Sequence, residues 1–116
     1  MDRKFRLTRP SDFKRVRRDG RSYAHPLVIL VAAQRYQEIS RWGVTTSRSL
    51  RRATDRNRAK RRLRHALQPH VGTAAPGWDL VFIARPAILS APWEQLQHAV
   101  EQLLERAMDA AQKERT

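Results

Sequence analysis

The chain contains no cysteine, few acidic residues and no long apolar run, and each shortage excludes a class of protein. Without cysteine it forms no disulfide and offers no thiolate ligand to a metal. The longest apolar run, residues 27–33, is far shorter than the ~20 residues that span a bilayer. The basic N-terminus lacks the apolar segment of a secretory signal. We therefore expect a soluble, cytoplasmic protein with one domain, residues 1–108, and a flexible polar tail, residues 109–116.

Acidic residues are scarce relative to basic ones, and the basic residues are concentrated in two segments. The 24 Lys and Arg residues outnumber the 11 Asp and Glu residues, which gives a formal net charge of +13. Residues 1–22 carry nine basic and three acidic side chains, and residues 48–65 carry nine and one, so the rest of the chain is nearly neutral. Such concentration favours a binding surface for a polyanion over a merely solvated surface. Nucleic acid is the first candidate and an anionic membrane surface the second.

Hydrophobic periodicity predicts three helices and four strands. Ser11 is a suitable N-cap for the first helix, which an Asp-Gly turn ends, and Thr54 is a suitable N-cap for the second. The predicted ranges are helices 11–18, 54–68 and 93–108, strands 21–25, 27–33, 42–47 and 78–85, and loops 34–40, 72–77 and 86–92. The second and third strands are expected to pair as an antiparallel hairpin. This αβββαβα order indicates an α+β fold, a two-layer α–β sandwich with helices packed on one sheet.

The helix at 54–68 points most directly to function. Its apolar residues share one face, whereas both flanks of that face are basic. Guanidinium groups bind phosphate oxygens bidentately, and cations spaced at i,i+4 can follow the phosphates of a folded strand. The helix N-terminus adds free N–H donors. The alternatives are a solvated basic helix and a membrane-surface helix, but an apolar stripe of alanine and leucine suits packing better than membrane insertion.

The same helix carries a resemblance to a known family. Its run Arg-Asn-Arg-Ala-Lys-Arg-Arg-Leu-Arg, residues 56–64, resembles the signature helix of the bacterial ribonuclease P protein family. Further similar segments are Phe5-Arg6-Leu7, Asp12-Phe13, Val16, Gly20, Gly43-Val44-Thr45-Thr46-Ser47-Arg48 and Ile83-Ala84-Arg85. The resemblance extends over about residues 5–105, in the family's order and without a large gap.

The resemblance implies both a fold and a function. The fold is an α–β sandwich with one mixed sheet, whose signature helix links two parallel strands by a left-handed crossover, an exception to the usual handedness. The function is that of the non-catalytic protein subunit of ribonuclease P, an endoribonuclease whose RNA subunit performs the reaction. The holoenzyme removes the 5′ leader of precursor tRNA, with Mg²⁺ bound mainly by the RNA and the substrate. The expected partners are the catalytic RNA and precursor tRNA, with no membrane and no DNA.

The resemblance also implies two sets of site residues. The RNA-binding set lies on the signature helix and just before it: Arg48, Arg52, Arg56, Asn57, Arg58, Lys60, Arg61 and Arg64. The leader is expected in a cleft between the first helix, the sheet and the signature helix, with the candidates Phe13, Arg17, Val31 and Arg85. Phe13 is the candidate for stacking on a base, and its alternative is a core position beside Val16. Arg85 alternatively caps the sheet through an ion pair.

Three positions depart from the family's pattern. Arg17 replaces a frequent second aromatic residue, although a guanidinium plane can also stack on a base. Val31 stands where some relatives have tyrosine, which leaves less surface for stacking. Residues 49–52 lack the Lys-Gly-Asn character that is common before the signature helix.

No residue pattern predicts chemistry by the protein itself. Metal-dependent nucleases bring several carboxylates together, whereas Asp55 is the only carboxylate in the basic helix and the four histidines are scattered. We therefore predict no catalytic residue and no protein-bound metal. Three other functions stay open: a ribosomal or ribosome-assembly protein, a protein-only nuclease and a DNA-compacting protein. Dependence of precursor tRNA cleavage on the chain distinguishes the proposed subunit from the first of these.

Overall fold

A four-stranded mixed sheet with helices on both faces forms the centre of the computed structural model, which describes residues 2–35, 39–72 and 76–115. Its helices are α1 (Pro10–Asp19), α2 (Ala53–Leu67) and α3 (Trp93–Arg115), and its strands are β1 (Arg21–Ala24), β2 (Val28–Gln34), β3 (Arg41–Thr46) and β4 (Trp78–Ala84). The α+β class and the αβββαβα order are thus confirmed. Parts of two predicted loops, residues 36–38 and 73–75, lie outside the described residues, as does Thr116.

The strands lie in the order β1-β2-β4-β3, so the predicted hairpin of β2 with β3 is wrong. Strand β4 lies between them, antiparallel to β2 and parallel to β3. The reason is burial: β2 and β4 are apolar on both faces and occupy the centre, whereas β1 and β3 are more exposed and form the edges. Proximity in sequence favoured the hairpin, but burial of both faces determines which strands are central.

Helix α2 connects two parallel neighbours in the sheet, β3 and β4. The β–α–β unit that the resemblance implies is therefore present. The left-handedness of this crossover stays a prediction.

The two faces of the sheet are covered by different helices. On one face, α2 and α3 pack against the sheet. The predicted apolar stripe of α2 is buried there, and it consists of Ala59, Leu63, Ala66 and Leu67. The rings of Trp42 and Phe82 stack within this core, with centroids 5.9 Å apart and planes inclined by 4°. On the other face, α1 covers part of the sheet through Val16, which belongs to a smaller core with Val31 and Val81.

Three predicted helix boundaries are corrected. Helix α1 begins at Pro10 rather than after Ser11, because proline at the first helical position loses no intrahelical hydrogen bond. Helix α2 begins at Ala53, so Thr54 lies within the helix and is not its N-cap. The N-cap residue is Arg52, which makes no side-chain capping hydrogen bond. Helix α3 continues past Met108 to Arg115, because residues 109–115 contain no Gly or Pro and are mostly good helix formers. The predicted polar tail is therefore helical over 109–115, while its flexibility stays a prediction.

Candidate nucleic-acid interface

The outward flanks of α2 and the turn before it form one basic surface. Because α2 buries its alanine and leucine stripe against the sheet, its polar flanks face solvent. The basic surface consists of the exposed Arg48, Arg51, Arg52, Asn57, Arg58, Arg61 and Arg64 and the half-buried Lys60. Seven of the eight predicted RNA-binding residues thus belong to it. Their contacts with RNA stay a prediction.

Arg56, the eighth predicted RNA-binding residue, is half-buried and bonded within the protein. Its Nη1 donates hydrogen bonds to the carbonyl oxygens of Leu50 at 3.2 Å and Arg51 at 2.5 Å. Arg56 therefore ties the turn that carries Arg48, Arg51 and Arg52 to the first turn of α2. Its observed contacts are structural, and they fix the backbone of the turn from which those neighbours extend.

Arg62 also differs from its neighbours on α2. Its guanidinium donates to the carbonyl oxygen of Ile88 and, at 2.8 Å, to that of Ala91. These carbonyls belong to the segment that connects β4 to α3, so Arg62 joins α2 to that segment. The flank of α2 that carries Arg62 is thus partly occupied by contacts within the protein.

A groove of about 420 Å³ opens at the β3 edge of the sheet. We call it the edge groove, and its lining residues are Arg6, Leu7, Thr8, Phe13, Trp42, Val44 and Arg64. The segment before α1 forms one side by pairing alongside β3: the N–H of Leu7 donates to the carbonyl of Trp42 at 2.9 Å. The edge groove therefore lies between the N-terminal segment, α1, the sheet and α2, where the cleft was predicted.

Of the four predicted cleft residues, only Phe13 lines the edge groove. Phe13 is half-buried and packs against the α1-side core, so it is both a core residue and a groove residue. Arg17 is exposed on α1, one turn after Phe13 and on the same flank. Its contact with a leader stays a prediction.

Val31 and Arg85 occupy other positions. Val31 is 3% exposed and lies in the core beneath α1, so in this structure it cannot contact RNA. No local sequence pattern indicates that α1 covers it. Arg85 is half-buried, and its Nη1 donates to the carbonyl oxygen of His25 at 3.3 Å. The Arg85 side chain thus binds the β1–β2 turn by donating to a backbone carbonyl rather than through the alternative ion pair.

Sequence reasoning missed most of the groove lining, notably Arg6, Thr8 and Trp42. Arg6 and Thr8 lie in a segment without regular secondary structure, which joins the site only because it pairs with β3. A signal was nevertheless present: Phe5-Arg6-Leu7 alternates a polar residue between apolar ones, as an edge segment does.

Sequence reasoning also missed a buried ion cluster on the α1 side of the sheet. Asp79 of β4 is fully buried, and arginines from three segments surround it. Arg41 donates two hydrogen bonds to it, at 3.0 and 2.9 Å, Arg15 donates a third, and Arg35 lies 3.6 Å away. Asp12 of α1 joins the cluster through Arg41 at 3.5 Å. A lone carboxylate in an apolar strand was the sequence signal, because a buried charge requires partners.

The cluster determines the ionisation of Asp79. Burial alone would raise the pKa of this carboxyl, but hydrogen bonds from Arg41 and Arg15 outweigh burial, and the pKa is lowered. The carboxylate is therefore charged at neutral pH and links α1 to β3 and β4.

The described residues contain no group of three His, Cys, Asp or Glu that could hold a metal ion. None of the helices in the described ranges combines the length and the apolarity needed to cross a bilayer.

Comparisons with known proteins agree on one family. A family model described as Ribonuclease P matches residues 1–108. The chain is 43% identical over 107 residues to the "Ribonuclease P protein component" of Herpetosiphon aurantiacus, covering 92% of this chain and 87% of that protein.

Two solved structures are similar to the whole fold. The RNase P protein from Thermotoga maritima is 25% identical with a TM-score of 0.75, covering 87% of this chain and 96% of that one. A Staphylococcus aureus RNase P protein, described as a mutant with defective mRNA degradation activity, is 26% identical with a TM-score of 0.79, covering 90% and 89%.

Proposed function

The chain belongs to the ribonuclease P protein family, and we propose that it acts as the non-catalytic protein subunit that helps an RNA enzyme remove the 5′ leader of precursor tRNA. Family membership makes it a ribonuclease P component and hence a tRNA-processing, RNA-binding protein. In this proposal the basic surface binds the ribonuclease P RNA, and the edge groove binds the single-stranded leader in the cytoplasm. Neither a membrane nor DNA takes part.

One observation carries the proposal: Arg64 belongs to both regions. It is exposed on α2 as part of the basic surface, and its side chain lines the edge groove. The two regions are therefore continuous, and one protein face can hold the catalytic RNA and the strand to be cut next to each other.

The groove chemistry suits an unpaired strand of varied sequence. The Phe13 ring offers an aromatic face on which any base can stack, while Arg6 of the N-terminal segment and Arg64 of α2 supply cations for phosphates. Single-stranded binding of this kind depends on stacking and charge more than on base-edge hydrogen bonds. We therefore propose that leader length matters more than leader sequence.

Mg²⁺ is proposed to act at the RNA. The donor set of the described residues does not fit a protein-held ion, since no three carboxylates or imidazoles converge. In the proposal the basic surface lowers the repulsion between the phosphates of catalytic RNA and substrate, which reduces the Mg²⁺ concentration the complex needs.

The test is cleavage of precursor tRNA at low Mg²⁺ with a bacterial ribonuclease P RNA. Protein alone, RNA alone and the mixture are compared with a mixture containing R61A/R64A. We expect rapid cleavage only with the wild-type mixture, and about tenfold slower cleavage with the variant at limiting protein, equivalent to ~1.4 kcal/mol of binding. Arg56 is left unchanged because its hydrogen bonds hold the turn before α2.

The control is K113A, which removes a positive charge at the end of α3, outside the basic surface. It should cleave at the wild-type rate. If protein adds nothing to RNA, the subunit proposal fails, and a ribosomal or general RNA-binding role takes its place. Binding to duplex DNA that is as tight as binding to precursor tRNA would instead favour a DNA-compacting protein.

Incubation of the protein alone with an mRNA tests a second function. The description of the Staphylococcus aureus structure refers to an mRNA degradation activity of that protein. Degradation of an mRNA by this chain in the absence of ribonuclease P RNA would show that it is itself a nuclease.

A further inference from the structure

The ring of Phe13 lies directly on the backbone of Gly43 in β3. A Cβ atom at position 43 would lie 2.9 Å from both Cε1 and Cζ of Phe13, and 3.2 Å from the Cβ of Leu7. Carbon atoms do not approach so closely without one of them moving, since their optimal separation is about 3.5–4.0 Å. The observed position of the ring therefore requires glycine at 43.

Backbone conformation does not explain this glycine. Among the described glycines, those with positive φ are Gly72 and Gly77, whereas Gly43 pairs in regular register with Val81 of β4. Glycine within a strand weakens it, because it gains no packing and loses more conformational entropy than other residues. Close approach of the Phe13 ring is the feature that accounts for a glycine at this position.

A methyl group at position 43 would move the ring in a defined direction. Gly43 is buried beneath the ring, and Leu7 lies beside it in the same core, so the ring cannot move inward. The half-buried ring is the free end of its side chain and can turn outward. Outward is into the edge groove, which Phe13 lines.

We propose that Gly43 is a positioning residue, which seats the Phe13 ring low in the edge groove and so leaves room for one base of a single-stranded RNA above it. This inference rests on the proposed function of the groove. It adds that the space available in the edge groove depends on Gly43 of β3, which has no side chain, as well as on Phe13 of α1.

The test compares the affinity of the holoenzyme for precursor tRNA with its affinity for mature tRNA. G43A should lower the preference for precursor about tenfold, the scale of one lost base–aromatic stack, and leave the affinity for mature tRNA unchanged. F13A should lower the preference similarly. The double variant G43A/F13A should lose no more than F13A alone, because both changes act through the same ring.

A matched control is V81A. Val81 is buried in the same α1-side core and pairs with Gly43, but it does not line the edge groove. V81A should reduce the melting temperature while retaining the preference for precursor tRNA. A loss of preference in V81A as large as in G43A would mean that general loosening is the cause, which would overturn the inference.

A second measurement covers the case in which G43A folds poorly. If the clash with the ring is the cause, removing the ring relieves it, so G43A should lower the melting temperature less in the F13A background than in the wild type. Equal losses in both backgrounds would contradict the inference without any RNA being present.

The outcomes separate the two proposals. If F13A keeps the full preference for precursor tRNA, the groove does not hold the leader, and the proposed function of the groove is wrong. If F13A loses the preference but G43A keeps it, the groove function stands and the role of Gly43 is wrong.

Discussion

At the residue scale, Asp79 is a single buried carboxylate that links three separate segments of the chain. It binds Arg15 of α1, Arg41 of β3 and Arg35, which follows β2. Three cations around one buried carboxylate are stable only while the carboxylate is present and ionised. In a chain of net charge +13, this cluster is a place where positive charge is used to hold the fold rather than to bind a partner.

We therefore expect D79N to destabilise the protein. Removing one partner of a buried ion pair typically costs about 3–5 kcal/mol, and because the arginines are partly exposed we expect a loss of about 3 kcal/mol. Urea unfolding at neutral pH measures the change. D19N is the control, since Asp19 forms an exposed pair with Arg18 and its loss should change the unfolding free energy little. Equal losses in the two variants would contradict a special role for the cluster.

The same cluster predicts a pH dependence. The pKa of Asp79 is lowered in the folded protein, so the unfolded chain binds its proton at higher pH than the folded one. The contribution of Asp79 is complete above the unfolded carboxyl pKa of about 4 and is lost as the pH falls through the folded pKa. The difference in unfolding free energy between wild type and D79N should accordingly shrink on acidification below that pH.

At the scale of the element, α2 shows what periodicity reveals and what it does not. The buried stripe of Ala59 and Leu63 follows from helical spacing alone, because one face of a surface helix must be apolar. The functions of the arginines beside the stripe do not follow from helical spacing. Arg61 and Arg62 are adjacent and chemically identical, but Arg62 meets carbonyls of the segment after β4, which no local pattern contains.

The two adjacent arginines therefore make a matched pair of variants. R62A should lower the unfolding free energy by about 1–3 kcal/mol, because two partly buried carbonyls lose a charged donor. R61A should change it by less than ~0.5 kcal/mol but weaken binding to ribonuclease P RNA and reduce the salt slope by about one. Urea unfolding and binding at several salt concentrations measure both. The reverse result, with R61A unstable and R62A defective only in binding, would contradict these assignments.

At the scale of the whole molecule, the elements were predictable but their pairing was not. Each strand was recognised from its own composition, but the insertion of β4 between β2 and β3 depends on which strands can bury both faces. The edge groove has the same origin, since Arg6, Phe13, Val44 and Arg64 are brought together only by that arrangement. The resemblance predicted a leader cleft between α1, the sheet and α2, and the structure has a groove there whose lining is mostly different from the predicted residues. Binding of a leader in this groove stays a prediction.

Charge at this scale has a consequence for stability. Arg6 of the N-terminal segment and Arg64 of the basic surface both line the edge groove, and the other cations of the basic surface lie on α2 and the turn before it, while α3 exposes Glu94, Glu101, Glu105 and Asp109. Cations gathered in this way repel one another in the folded protein. A ligand that neutralises them binds the folded state better than the unfolded chain, in which the same cations are far apart.

We therefore expect sulfate and ribonuclease P RNA to raise the melting temperature. A ligand at a hundred times its Kd stabilises by about 2.7 kcal/mol, which corresponds to roughly 10 °C for a domain of this size. Thermal unfolding in sulfate is compared with unfolding in sodium chloride of equal ionic strength, which separates binding from screening. The shift should be smaller in R61A/R64A, because two of the binding cations are absent, and unchanged in K113A. An equal melting temperature in both salts, with no response to RNA, would mean that the positive charge of this protein does not oppose its folding.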